Sequence, residues 1–135
     1  MGDGELILVV EDNDKVREAT VSRLESLGYA VLKAKTGPEA ISLLEAGHPI
    51  SLVFSDIVMP GGMTGYDVAE WVRSMKPGLK VLLTTGNSEL PIVASGAMQK
   101  IKVLGKPYTR EQLAHALRDA LDGWPPPGNR ADQLA

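Results

Sequence analysis

A doubly wound α/β domain built on one parallel sheet is the fold class this sequence predicts. Three observations predict it. Short unbroken apolar runs alternate with longer stretches of helical spacing, each run ends on a polar residue, and 135 residues suit one domain with its own core. An apolar run without polar alternation reads as a strand covered on both faces. Strand–helix alternation calls for right-handed crossovers and helices on both sides of the sheet.

The first strand is Leu6-Ile7-Leu8-Val9-Val10. Val16, Thr20, Leu24 and Leu27 then repeat at intervals of three and four, and Gly28 supplies the stop. Ala30-Val31-Leu32 with its flanks is the second strand. Thr36-Gly37-Pro38-Glu39 reads as a capping box with an early proline, opening a helix that carries Ala40, Ile41, Leu43 and Leu44. Ser51-Leu52-Val53-Phe54 is the third strand. Val68, Ala69, Val72 and Met75 share a helix face that ends at Pro77-Gly78. Lys80-Val81-Leu82-Leu83-Thr84 is the fourth strand and Ile101-Lys102-Val103-Leu104 a weaker fifth. Thr109-Arg110-Glu111-Gln112 is a second capping box, placing Leu113, Ala116, Leu117, Ala120 and Leu121 inward. Residues 87–100 hold Pro91 and Gly96 with poor periodicity, so a short, bent or mobile helix is expected there. Residues 5–121 form the expected domain. Residues 1–4 and 122–135, the latter with Trp124-Pro125-Pro126-Pro127, read as flexible tails.

Composition removes several function classes. The chain has no cysteine, which excludes disulfide scaffolds, thiolate metal sites and cysteine nucleophiles. Fourteen basic against seventeen acidic residues give a net charge of −3, without the footprint of a nucleic-acid binder. No apolar run approaches the ~20 residues that span a bilayer, and the acidic start lacks the basic region of a signal peptide. A cytoplasmic domain with neither nucleic-acid nor membrane partner is expected.

In an open parallel sheet, ligands bind beyond the carboxyl ends of the strands. Glu11 and Asp12 follow the first strand, Asp56 the third, Thr85 and Gly86 the fourth, and Lys106 and Pro107 the fifth. Carboxylates crowded together repel unless a cation joins them. Hard oxygen donors in this number suit Mg²⁺. A carboxylate standing alone, as Asp56 does, can attack phosphorus and form an acyl phosphate. Lys106 can neutralise phosphoryl charge, Thr85 can donate to a phosphoryl oxygen, and Gly86 leaves room. Taken singly, each residue has a plainer reading. Glu11 to Asp14 suit a helix N-terminus, Asp56 a turn, Thr85 a cap, and Lys106-Pro107 an ordinary surface pair. Together at one end of the strands they favour a site.

These residues carry a resemblance. Val9-Val10-Glu11-Asp12-Asn13, Asp56-Ile57-Val58-Met59-Pro60 with Gly65, Leu83-Thr84-Thr85-Gly86 and Leu104-Gly105-Lys106-Pro107-Tyr108 resemble, in order and spacing, the receiver domain of two-component response regulators. The resemblance spans residues 5–121. It implies a flavodoxin-like (βα)5 sheet of order 2-1-3-4-5 and phosphoryl transfer from a kinase phosphohistidine to Asp56. It also implies Mg²⁺ held by Asp12, Asp56 and the Val58 backbone carbonyl, with Glu11 acting through a bound water. Thr85 becomes the switch hydroxyl, and Lys106 pairs with Asp56 or its phosphate. The activity implied is self-catalysed phosphorylation and hydrolysis, not turnover of a free substrate. The implied partner is a sensor histidine kinase or histidine phosphotransfer protein, and homodimerisation stays open.

Three departures stand out. The acidic pair is Glu-Asp instead of Asp-Asp. The Gly61-Gly62-Met63-Thr64 loop is one residue longer than the commonest pattern, a variant resembling receivers of hybrid kinases. Val103 occupies the usual place of a switching aromatic ring. Tyr108 reads mainly as a packed anchor, Trp71 as helix-surface packing, and His115 as a surface residue rather than a phosphodonor. Too little chain follows Leu121 for a DNA-binding output, so signalling through protein contacts is expected, with residues 87–100 as the moving element. The alternatives are a receiver-fold scaffold or dimerisation module that does not use phosphate, and a small Mg²⁺ phosphohydrolase. The second is disfavoured by Val58, where those enzymes carry a second acid. A flavodoxin-type cofactor binder lacks its phosphate loop.

Overall fold

The computed structural model describes residues 4–58, 63–85, 102–105 and 108–122. Within them the order is β1 (Leu6–Val10), α1 (Asp14–Ser26), β2 (Ala30–Ala34), α2 (Gly37–Glu45), β3 (Ile50–Asp56), α3 (Gly65–Met75), β4 (Lys80–Thr85), β5 (Lys102–Gly105) and α4 (Arg110–Asp122). All strand pairs are parallel, and the sheet runs β2-β1-β3-β4-β5, the doubly wound flavodoxin-like order. The expectations for residues 86–101, for Lys106 and Pro107, for residues 59–62 and for the tails at 1–3 and 123–135 lie outside the described residues.

Strands β1 to β4 each feed two cores because successive side chains point to opposite faces. Leu8, Val10, Val53, Val81 and Leu83 pack with Ala40 and Leu44 of α2 and with Val68, Ala69 and Val72 of α3. Ile7, Val9, Leu52, Phe54 and Leu82 pack with Leu24 of α1 and with Leu113, Leu117 and Ala120 of α4. Burial on both faces explains why the strands read as continuous apolar runs.

The helix boundaries have local causes. Asn13 caps α1, its side chain accepting from Val16 N at 2.9 Å. The Thr109 box is complete: Gln112 N donates to Thr109 Oγ1 at 3.0 Å, and Thr109 N donates to Gln112 Oε1 at 2.8 Å. The Thr36 box is only half of one. Glu39 N donates to Thr36 Oγ1, but the Glu39 carboxylate takes the Lys35 amide at 2.6 Å instead of that of Thr36. A full box that the sequence reading missed opens α3, between Thr64 and Asp67. Met75 and Val16 depart from their expected inward faces. Met75 is 62% exposed at the last residue of α3, where the stripe runs off the sheet, and Val16 is also exposed. Arg17 takes the buried place beside Thr20, Val21 and Leu24.

Candidate functional site

The pleat that builds the core also delivers the site. Glu11 continues the row of Ile7 and Val9, Asp56 that of Leu52 and Phe54, and Thr84 that of Leu82. These three residues share a small crevice with Thr20, Phe54 and Tyr108 at the carboxyl edge of the sheet. Carboxylate oxygens of Glu11, Asp12 and Asp56 all lie within 4.8 Å of one another. The sequence therefore brings its three predicted acids together. Glu11 is buried, whereas Asp12 and Asp56 are partly exposed.

The backbone around them is tied down. Glu11 N donates to Ala34 O at 3.0 Å, joining the end of β1 to that of β2. The Glu11 side chain turns back on its own loop, and its Oε2 accepts from Asn13 N at 3.0 Å. Arg17 NH1 donates to the Glu11 carbonyl at 3.0 Å, and NH2 donates to Asp14 Oδ1 at 2.6 Å. That hydrogen bond, with the guanidinium charge, holds the Asp14 carboxyl below its ordinary value. Asp14 is the first residue of α1, where negative charge also meets the helix dipole.

Asp56 closes β3 opposite Thr84. Beyond it, Ile57 N donates to Thr84 O at 2.9 Å, and Gly65 N donates to Ile57 O at 2.8 Å. The first residue of α3 thus presses on the strand end. A Cβ at Gly65 would collide with the Asp56 carbonyl oxygen and stand 2.9 Å from Ile57 Cα. Only glycine permits this approach. Thr84 donates its hydroxyl to Leu104 O at 2.8 Å, fastening β4 to β5. Sequence reading singled out neither Thr84 nor Gly65 for these contacts, nor Arg17 at all. A threonine inside an apolar strand was the only available signal for the first.

Thr85 lies buried at the end of β4, in register with Gly105 of β5. Val58 is exposed, two residues beyond Asp56. Lys106 lies outside the described residues. Val103, in the place expected of a switching ring, is 40% exposed. Tyr108 packs edge-on against Phe54, with ring centroids 6.3 Å apart and planes at 60°, and the Arg23 guanidinium sits 5.8 Å from its ring centre. Those contacts make it a packed anchor. Trp71 is half-buried against the α2–α3 core and His115 is exposed on α4. Among the described residues no helix is long and apolar enough to cross a membrane.

The donor set can be tested against a metal. Three carboxylates offer hard oxygens at close quarters without soft or nitrogen ligands, which fits a divalent cation such as Mg²⁺.

Comparison with known proteins agrees with this arrangement. The model of the response regulator receiver domain family matches residues 7–118. A sensor kinase CckA from Brucella abortus is 35% identical over 118 residues, covering 86% of this chain and 12% of the kinase. The transcriptional regulatory protein GlrR from Escherichia coli is 29% identical, covering 86% of this chain and 26% of the regulator. The chain therefore spans about an eighth and about a quarter of these two relatives. Among solved structures, a response regulator receiver protein from Sinorhizobium medicae superposes with a TM-score of 0.80 at 27% identity, covering 89% of this chain and 96% of that one. The response regulator TrrA from Thermotoga maritima, solved in complex with Mg(2+)-BeF, gives 0.78 at 30% identity, covering 87% and 99%. With strand order, acidic edge and family match in agreement, the chain belongs to the response regulator receiver domain family.

Proposed function

We propose that this receiver domain accepts a phosphoryl group on Asp56 in a Mg²⁺-dependent reaction and signals through protein contacts. The observation that carries the reading is the convergence of the Glu11, Asp12 and Asp56 carboxylates within 4.8 Å at the carboxyl edge of the sheet. Asp12, Asp56 and the Val58 carbonyl would hold the ion directly, and Glu11 would hold it through a water. The bound ion would neutralise charge on the transferring phosphoryl oxygens.

The protein's own share is position and charge. An Asp56 oxygen forms a bond to phosphorus as the donor's phosphorus–nitrogen bond breaks, and the bonding pair leaves with the imidazole nitrogen of the donor histidine. The rigid end of β3 holds that oxygen in line, as phosphoryl transfer requires. Thr85 would donate its hydroxyl to a phosphoryl oxygen, and Lys106 would pair with the added charge. Val58 offers no side-chain hydrogen bond to orient attacking water, so the aspartyl phosphate should be long-lived. The chemistry fits a sensor histidine kinase or a histidine phosphotransfer protein as donor.

Incubation with magnesium chloride and acetyl phosphate tests this by intact-mass spectrometry. A gain of one phosphoryl group, absent without metal and absent in Asp56→Asn, supports it. No gain in the wild-type protein rejects it and leaves the scaffold reading, which Val103 at the switch position favours.

A further inference from the structure

We propose that Arg17 is a positioning residue for the capture of Mg²⁺, holding the turn between β1 and α1 so that the three carboxylates face one another. The inference rests on the reading of Glu11, Asp12 and Asp56 as the ion's ligands.

Arg17 is unusual for a cation on an amphipathic helix, being only 7% exposed. Its guanidinium fork uses two edges. NH1 binds the main-chain oxygen of Glu11, and NH2 binds Asp14 across the first turn of α1. Glu11 is then held at three points: its amide on Ala34 O, its carbonyl on Arg17, and its carboxylate on Asn13 N. The bonds at Glu11 and Asn13 fix the chain on both sides of Asp12, which fixes the direction from which Asp12 can reach Asp56. A residue that orients ligands in this way typically changes metal affinity by about 10–100-fold when removed.

Charge alone argues the opposite sign. A guanidinium bound to the acidic turn opposes a second cation there, so its removal would tighten Mg²⁺ binding if electrostatics were its only effect. Positioning predicts that removal loosens it. The choice of ion separates positioning from general slackening. Mg²⁺ demands near-ideal octahedral geometry, whereas Ca²⁺ accepts irregular oxygen cages. A loosened turn should therefore cost Mg²⁺ more than Ca²⁺.

The test is calorimetric titration of the full chain with magnesium chloride and with calcium chloride. It is run at a temperature where circular dichroism finds each variant folded. Arg17→Met should raise the Mg²⁺ dissociation constant about tenfold, with a clearly smaller rise for Ca²⁺. Arg17→Lys keeps the charge but supplies no fork, so it can satisfy one acceptor at a time and should fall between wild type and Arg17→Met. Unchanged or tighter Mg²⁺ binding in folded Arg17→Met overturns the proposal, as does an equal loss for both ions. If Arg17→Met does not fold, the Mg²⁺-to-Ca²⁺ affinity ratio of Arg17→Lys decides, and a wild-type ratio overturns it. Wild-type protein that binds no Mg²⁺ rejects the ligand reading itself, a different result from a wild type that binds and a variant that binds equally well.

Discussion

Gly65→Ala should damage both the fold and the site. The new Cβ would meet backbone atoms of Asp56 and Ile57, none of which can swing away. Its 2.9 Å approach to Ile57 Cα is about 0.6 Å short of the ~3.5 Å of ordinary carbon contact. If α3 retreats by at least that amount, as the still closer contact with Asp56 O also requires, the 2.8 Å bond from Gly65 N to Ile57 O stretches to about 3.4 Å or beyond and is largely lost. Overpacking of this kind costs about 1–3 kcal/mol and the hydrogen bond about 1 kcal/mol, offset by up to ~1 kcal/mol from alanine's helix propensity. The net loss is about 2 kcal/mol, read as a drop of roughly 1 M in the urea midpoint. Because two of the three backbone atoms nearest the new Cβ belong to Asp56, acetyl phosphate labelling should also slow, by about tenfold or more. Gly37→Ala is the matched control. The atoms nearest its Cβ would all belong to the Met63 side chain, which is flexible, so its stability should stay within about 0.5 kcal/mol of wild type. A Gly65→Ala protein as stable as Gly37→Ala would refute the reasoning.

Thr84→Val keeps the shape but removes the hydroxyl donor to Leu104 O, so thermal or urea unfolding should register a loss of about 1 kcal/mol; no change would mean the 2.8 Å bond is idle. Magnesium chloride at a hundredfold its dissociation constant should stabilise the wild type by about 2.7 kcal/mol, and Asp12→Asn should show little of that gain in the same melting scan. Val58→Asn should shorten the lifetime of the aspartyl phosphate, followed as loss of the phosphoryl mass after donor removal; an equal or longer lifetime contradicts the role given to Val58. Asp14 titrates below its ordinary value of 3.8 in the folded protein because of Arg17. Its contribution to stability is therefore complete above that value and lost as pH falls through the lowered one. The stability difference between wild type and Asp14→Asn should be flat near neutrality and shrink in acid, and a difference that grows in acid reverses the sign of the argument.

The parallel sheet, its two cores and the meeting of Glu11, Asp12 and Asp56 were legible in the sequence because each follows from periodicity. An apolar run fixes a strand, and alternation of strands and helices fixes which ends share an edge. Polar partnerships follow no such period. Nothing in the helical spacing marks Arg17, whose partners are the Glu11 carbonyl and Asp14. Val16 reads as core although the neighbouring position is the one turned inward. Glu39 matches a capping pattern, yet its carboxylate takes the preceding amide.

The sequence by itself determined which segments are strands, which faces are apolar and which chemical groups stand at the strand ends, because burial free energy is summed along the local chain. Tertiary structure alone decided how those groups are held. Asp56 is braced by the approach of Gly65, β4 is fastened to β5 through Thr84, and the acidic turn is anchored by Arg17. Hydrogen bonds and steric contacts depend on distance and direction between residues, which the order of the chain does not encode pair by pair.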